Sequence, residues 1–224
     1  MELARRGVTI FLGVLVAGAV MARDAQAQTE KVPDGPFAVQ VDGALTVGHT
    51  TSSAAGFELG WWPTDDLKVF VESSWMMNVA SASLDARAKI IADSIAGMAD
   101  MAEPAVMVDA GLRYSFGEFG WVQPFVLAGF GLARVNVTPG FLVGGTDVTD
   151  RLLGTYGVRL GRDLDGHVTK GAVVVGAGVN VPLTSRYFVE GSARYGRILS
   201  NDSAVPGDVG TNTTRIQVSF GARF

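Results

Sequence analysis

Histidine is the side chain most often recruited to move protons near neutral pH, and the 224-residue sequence holds only two, His49 and His167. Neither sits in an HxxxH or carboxylate–His spacing that suggests a metal site, so none is expected. With no cysteine, the chain has no disulfide framework, thiolate site or sulfur nucleophile. His49 with Ser52 or Ser53 is the only local pairing of a base with a hydroxyl, and no acid stands where it would orient the imidazole. Gly129-Phe130-Gly131 and Gly176-Ala177-Gly178 look superficially like phosphate-cradling loops, but neither opens a helix. Both fall inside strand patterns, where bulges, taper or aromatic shielding account for glycine. No catalytic or cofactor-binding residue is assigned, and a non-enzymatic protein without cofactor is expected.

Composition narrows the class without naming a role. A net charge of −4 lacks the basic footprint of a nucleic-acid binder, and 48% hydrophobic against 18% charged residues is too apolar for disorder. Residues 1–27 have the layout of a secretory signal: Arg5 and Arg6, an apolar stretch from Val8 to Met21, then Ala25-Gln26-Ala27 as a small-x-small cleavage pattern. Cleavage after Ala27 would leave a short periplasmic segment, 28–35, before the main domain, 36–224. No later run is long enough for a transmembrane helix. An exported, apolar chain without such a helix can be integral only as a closed β-barrel.

Period-2 alternation marks eight strands, at 37–47, 55–62, 67–78, 105–116, 121–135, 169–181, 187–197 and 213–224. Each has about the ten residues that a tilted membrane strand needs. In 121–135 both faces are apolar; Val126, Ala128, Phe130 and Leu132 are placed outward, with Gly129 and Gly131 inward. Turns at 63–66, 117–120 and 182–186 are tight, whereas 79–104, 136–168 and 198–212 are long. Short turns on one side and mostly long loops on the other match the two ends of an outer-membrane barrel. Phe37, Trp61, Trp62, Phe116, Phe119, Trp121, Tyr187 and Phe224 all fall at the short-turn ends, as a girdle at one membrane interface would. Trp75 and Tyr195 lie toward the other end.

The polar faces carry Asp42, Glu58, Glu72, Asp109 and Glu190 together with Lys68, Arg113, Arg194, Arg215 and Arg223. In a membrane barrel these ten point inward as a network of paired charges. In a soluble ligand-binding barrel the parity inverts, and alternation alone does not separate the two.

The 79–104 connection holds a helix signal. Leu84, Ile91, Ile95 and Met98 recur at helical spacing beside Ala88 and Ala92, with Ser83 as cap, Asp85 in the first turn and Pro104 as stop. A helix over 84–101 is expected as a lid on the barrel rim, packed on Trp75, Met76 and Met77 or on Phe141 to Val143, the alternative being an amphipathic segment that contacts a partner or the membrane. Thr155 to Leu160 alternates briefly, which either extends a hairpin beyond the membrane or adds a ninth and tenth strand.

The terminal strand, Arg215 to Phe224, and the central Gln123-Pro124-Phe125-Val126-Leu127-Ala128-Gly129-Phe130-Gly131 resemble the eight-stranded outer-membrane β-barrel proteins, the OmpA-like transmembrane barrel and its small relatives. The resemblance implies an all-β, closed antiparallel up-and-down barrel in the outer membrane of a Gram-negative bacterium, with a short helix in an extracellular loop. It implies a monomer surrounded by outer-membrane lipid and lipopolysaccharide, handled during biogenesis by periplasmic chaperones and the barrel-assembly machinery. Phe220 and Phe224 would then form the assembly signal on the last strand. The peptidoglycan-binding domain of full-length OmpA proteins is not present in the sequence. Some such barrels are lipid A deacylases, which use a Ser and a His; here only His49 with Ser52 or Ser53 comes near that pattern. The expected role is structural, in envelope integrity, or in surface interaction. The alternatives are a narrow channel for small solutes and a soluble periplasmic ligand-binding barrel.

Overall fold

The computed structural model describes residues 35–117, 119–161, 164–201 and 210–224; the signal sequence and its cleavage site lie outside them. Alternating residues build ten strands: β1 (Phe37–Val47), β2 (Ser52–Trp61), β3 (Leu67–Met76), β4 (Met98–Ala102), β5 (Ala105–Ser115), β6 (Gln123–Val143), β7 (Thr146–Asp147), β8 (Gly166–Pro182), β9 (Tyr187–Ile198) and β10 (Thr211–Arg223). Eight of them, all but β4 and β7, close into one antiparallel ring in which neighbours in sequence are neighbours in space. Closure is between β1 and β10, in register from Ala38 opposite Arg223 to Val47 opposite Thr214. A closed ring leaves no barrel edge unpaired, which lets strands cross hydrocarbon. Among the described residues no helix is long and apolar enough to cross a membrane.

Side-chain parity follows the alternation. Val39, Val41, Leu59, Val71, Leu112, Phe130, Val175, Ile216 and Phe220 are exposed around the outside, while all ten named charged residues are buried inside. That removes the soluble ligand-binding alternative, which needs the opposite parity. Val126, Ala128, Phe130 and Leu132 do face outward on β6. The inward glycines make room for large lumenal rings: a β-carbon on Gly178 would lie 2.6 Å from Phe125 Cζ, and one on Gly111 would lie 2.8 Å from Phe70 Cζ. Of the two Gly-x-Gly patterns only Gly178 shields a ring in this way; Gly129, Gly131 and Gly176 lie close to the backbone of the neighbouring strand. The short turns are built locally. Gly117 and Gly120 take φ of +84° and +68° around the 116–122 turn, and Thr184 Oγ1 accepts from the backbone of Arg186 and Tyr187 at 3.2 and 3.0 Å.

At the long-loop end β6 and β8 run on together past the barrel, pairing as far as Val137 opposite Gly166. The extended β6 then carries β4 and β7. Helix α1 (Ala82–Ser94) lies over this small sheet, and a 3-10 turn (Thr149–Arg151) leads into α2 (Leu152–Tyr156). Asp147 accepts from the backbone N–H and hydroxyl of Thr149 at 2.9 and 2.6 Å, bonds that hold its carboxyl below the usual carboxylate range. Leu84, Ala88, Ala92, Ile95, Met101, Phe141, Val148, Leu152 and Leu164 form a separate apolar core here.

The structure corrects the loop expectations. The helix starts two residues earlier, capped by Ser81, whose hydroxyl accepts from Leu84 N at 3.3 Å, rather than by Ser83. It ends at Ser94 because Ala96 turns left-handed (φ 53°) and Gly97 N–H donates back to the Ala92 carbonyl at 2.8 Å. Residues 98–102 are therefore strand β4, and Met98 is exposed instead of joining the helix stripe. The helix packs on Phe141 and Val143, whereas Met76 points into the lumen and Trp75 and Met77 remain exposed. Thr155–Leu160 gives neither a hairpin extension nor barrel strands: its start is the end of α2 and the rest is irregular.

Candidate functional site: the charged lumen

The ring order puts β9 four strands from β3, on the opposite wall of the barrel. Arg194 of β9 nevertheless reaches Glu72 of β3 in an ion pair through Nη1, so its side chain spans the lumen. Its Nη2 meets Glu58 of β2 at 3.1 Å and lies 3.8 Å from Glu190 on its own strand. One guanidinium thus serves three carboxylates, the work its planar fork of five donors suits. Arg215 of β10 joins Glu72 at 2.8 Å, Lys68 of β3 pairs with Glu58, and Arg113 of β5 pairs with Glu190.

Neutral groups extend the lattice. Lys68 donates to Gln40 at 3.2 Å, and Gln217, with its amide oxygen turned to Arg194, accepts from Nη2 and Nε at 3.1 and 3.2 Å. Rings stack against the cations: Arg113 lies 3.6 Å from the Phe125 centroid, and Arg194 lies 5.8 Å from that of Phe70. Burial would make each charge costly alone, and the pairs and rings together offset that cost.

Seven of the ten expected network residues, Glu58, Lys68, Glu72, Arg113, Glu190, Arg194 and Arg215, meet in these ion pairs. Asp42 and Asp109 are buried in the same lumen outside them. Arg223 sits apart at the short-turn end, 4.2 Å from the centroid of Trp62 and 5.6 Å from that of Phe188. Trp62 is therefore not part of the outer girdle. Trp61 takes the outward position at the end of β2, and the next residue turns to the opposite side, where its ring also meets Lys68 at 4.8 Å. The other girdle residues, Phe37, Trp61, Phe116, Trp121, Tyr187 and Phe224, are exposed at that end. Gln40, Gln217, Phe70, Phe125 and Phe188 are not among the expected network residues, although strand alternation already sets Gln40, Phe70 and Gln217 on the charged faces.

Toward the long-loop end the charges thin out, to buried Lys170 and Glu103, and apolar side chains predominate. Ala44, Ala54, Met76, Met107, Ala133, Val135, Ala172 and Ile198 pack into one buried layer beyond the charges. The barrel is thus filled twice, by ions and then by hydrocarbon. Contrary to the expectation that no acid would orient it, His49 Nε2 lies 2.7 Å from Asp85, while the Ser52 hydroxyl donates to the Asn78 carbonyl at 2.8 Å and not to the imidazole. Among the described residues no group of three or more His, Asp or Glu could hold a metal ion.

A closed eight-stranded ring with apolar exterior and charged interior is the architecture of a known set of bacterial proteins, and the family model for the outer membrane protein beta-barrel domain matches residues 12–224. The chain belongs to that family. Among solved structures, Neisserial surface protein A is similar in fold, with a TM-score of 0.56 at 17% identity, covering 84% of this chain and 97% of that one. The N-terminal β-barrel domain of Pseudomonas aeruginosa OprF aligns with a TM-score of 0.44 at 18% identity, over 84% and 99% of the two chains. Ail, the attachment invasion locus protein of Yersinia pestis, aligns with 0.45 at 13%, over 84% and 98%. A search of curated proteins found no match. The protein is an outer-membrane barrel, and barrels of this kind turn their short turns to the periplasm and their long loops to the exterior.

Proposed function

We propose that this protein is a non-enzymatic, internally plugged barrel that contributes to envelope integrity and presents its folded cap at the cell surface. The observation that carries the reading is Arg194, which ties strands on opposite walls through Glu58 and Glu72. A solute moving along the lumen would have to part these pairs and then pass the layer of Met76, Met107 and Ile198. Separating a buried pair leaves each partner uncompensated, at a cost of about 3–5 kcal/mol. Planar-bilayer recording of the refolded protein tests the proposal. The expected trace stays at baseline; sustained open events would overturn the plug and favour a narrow solute channel.

A further inference from the structure

The outward face of β6 changes character abruptly. Val126, Ala128, Phe130 and Leu132 are exposed and apolar, Phe130 to 73%, and the next outward positions are Arg134 and Asn136. From Gln123 to Leu132 the strand climbs about 23 Å, at ~3.3 Å per residue and a ~40° tilt. That nearly fills the apolar band of about 25 Å, so Arg134 stands where hydrocarbon gives way to headgroups. On β8 the same change occurs between Val173 and Thr169.

The two strands bring these boundary residues together. Arg134 is directly opposite Thr169, and Asn136 is directly opposite His167. All four are exposed and share the outer face. Directly opposite β-carbons stand about 5 Å apart, and diagonal ones are within reach of a long side chain. One guanidinium, one hydroxyl, one amide and one imidazole therefore form a square of hydrogen-bond donors. Just below it, Leu132 lies opposite Gly171, which has no side chain to fill the surface. Among the described outward positions of the eight barrel strands at this end no carboxylate occurs, the exposed Asp100 and Asp147 belonging to the cap strands β4 and β7, and β3 and β5 end instead in exposed Trp75 and Val106. The donor square lies on the β6–β8 side of the barrel, and the next outward guanidinium, Arg197 of β9, donates to Asn212 at 2.6 Å.

We propose that Arg134, Thr169, Asn136 and His167 form a binding site for the phosphate of an outer-leaflet glycolipid. A charged phosphate accepts from several donors at once and pairs strongly with a guanidinium. The site's height favours a phosphate carried on acyl chains, which would lie along Leu132 and Gly171, over one free in solution. The inference rests on the barrel's orientation in the membrane and not on a closed lumen, so the conductance result and this one can fail separately.

Native mass spectrometry of the refolded protein, released from micelles, tests it with three probes: bisphosphorylated lipid A, the same lipid stripped of phosphate, and inorganic phosphate. Lipid A is expected to bind saturably, and removal of its phosphates to weaken binding about tenfold. Arg134→Ala should cause a similar loss and Thr169→Val a smaller one, while Ser53→Ala on the far rim should bind as wild type does. Each variant is first checked for the mobility shift between boiled and unboiled samples; if Arg134→Ala fails it, Arg134→Gln replaces it. Equal binding of the stripped lipid, or unaltered binding by the Arg134 and Thr169 variants, would overturn the site. Displacement by inorganic phosphate as effective as by lipid A would overturn the lipid as its source.

Discussion

The barrel lumen and the extracellular cap solve the same problem with opposite chemistry. The lumen packs carboxylates, guanidiniums and an ammonium against one another inside a closed ladder of backbone hydrogen bonds. The cap packs Leu84, Ala88, Phe141 and Leu152 in an ordinary apolar core between a helix and a small sheet. The membrane explains the division. In lipid the apolar side chains are already satisfied on the outside, so a polar interior does not forfeit a hydrophobic drive that water would supply. In the cap, water is outside and apolar burial again stabilises. The two regions should therefore fail independently and for different reasons.

The largest expected effect is in the lumen. Arg194→Ala removes the cation shared by Glu58, Glu72 and Glu190 and leaves three buried carboxylates with fewer partners, which should destabilise the barrel by about 3–5 kcal/mol. Urea unfolding in lipid vesicles, read from the heat-modifiable band, measures this. Combining it with Glu72→Ala should cost less than the sum of the two single changes, because Arg194 and Glu72 are directly paired. Strict additivity would show that the cross-lumen pair contributes nothing.

A smaller, local effect is expected in the cap. Leu84→Asp puts a carboxylate into the core against Phe141, and a helix this short does not persist undocked in water. Limited proteolysis should cut within 79–104 faster than in the wild type, with barrel unfolding shifted by no more than about 0.5 kcal/mol. Loss of the barrel band together with the cap would mean that the regions are coupled.

The same division governs what could be read from the sequence. Strand parity was legible because membrane strands keep one face apolar and one polar, so Glu58, Arg113 and Arg215 declared their side of the sheet at once. Their partners were not legible. Whether Arg194 meets Glu72 or some nearer carboxylate depends on the tilt and stagger of the ring, which place β3 across the lumen from β9. Trp62 was misplaced by grouping aromatics by position along the chain instead of by parity. The cap was harder still. Met98 stands three residues after Ile95 and so continued the helical stripe, while the break comes from the left-handed Ala96, a backbone turn that alanine seldom advertises. Strand β4 needs the far end of β6 to pair with, and that extension lay inside a segment that looked like loop.

The smallest effect separates the cap's core from its polar attachment to the neighbouring loop. His49 Nε2 lies 2.7 Å from Asp85 Oδ2, joining the 48–51 segment to the first turn of α1, and both side chains are close to half exposed, at 45% and 40%. Exposed pairs of this kind contribute only about 0.2–1 kcal/mol, since water competes for both partners. The same segment is also held by Ser52, whose hydroxyl exchanges hydrogen bonds with the backbone of Asn78 at 2.8 and 3.1 Å. Asp85→Asn weakens the first attachment and leaves the second, the helix cap at Ser81 and the apolar core in place. Amide hydrogen exchange should then quicken by about two- to fivefold in residues 48–51, as the loss of less than ~1 kcal/mol requires. Exchange in α1 should hardly change, because Leu84, Ala88 and Ala92 still anchor it. If α1 quickened as much as the loop, the exposed pair, and not the buried leucine and alanines, would be what docks the helix, and the contrast between an ionic lumen and an apolar cap would fail at its outer end.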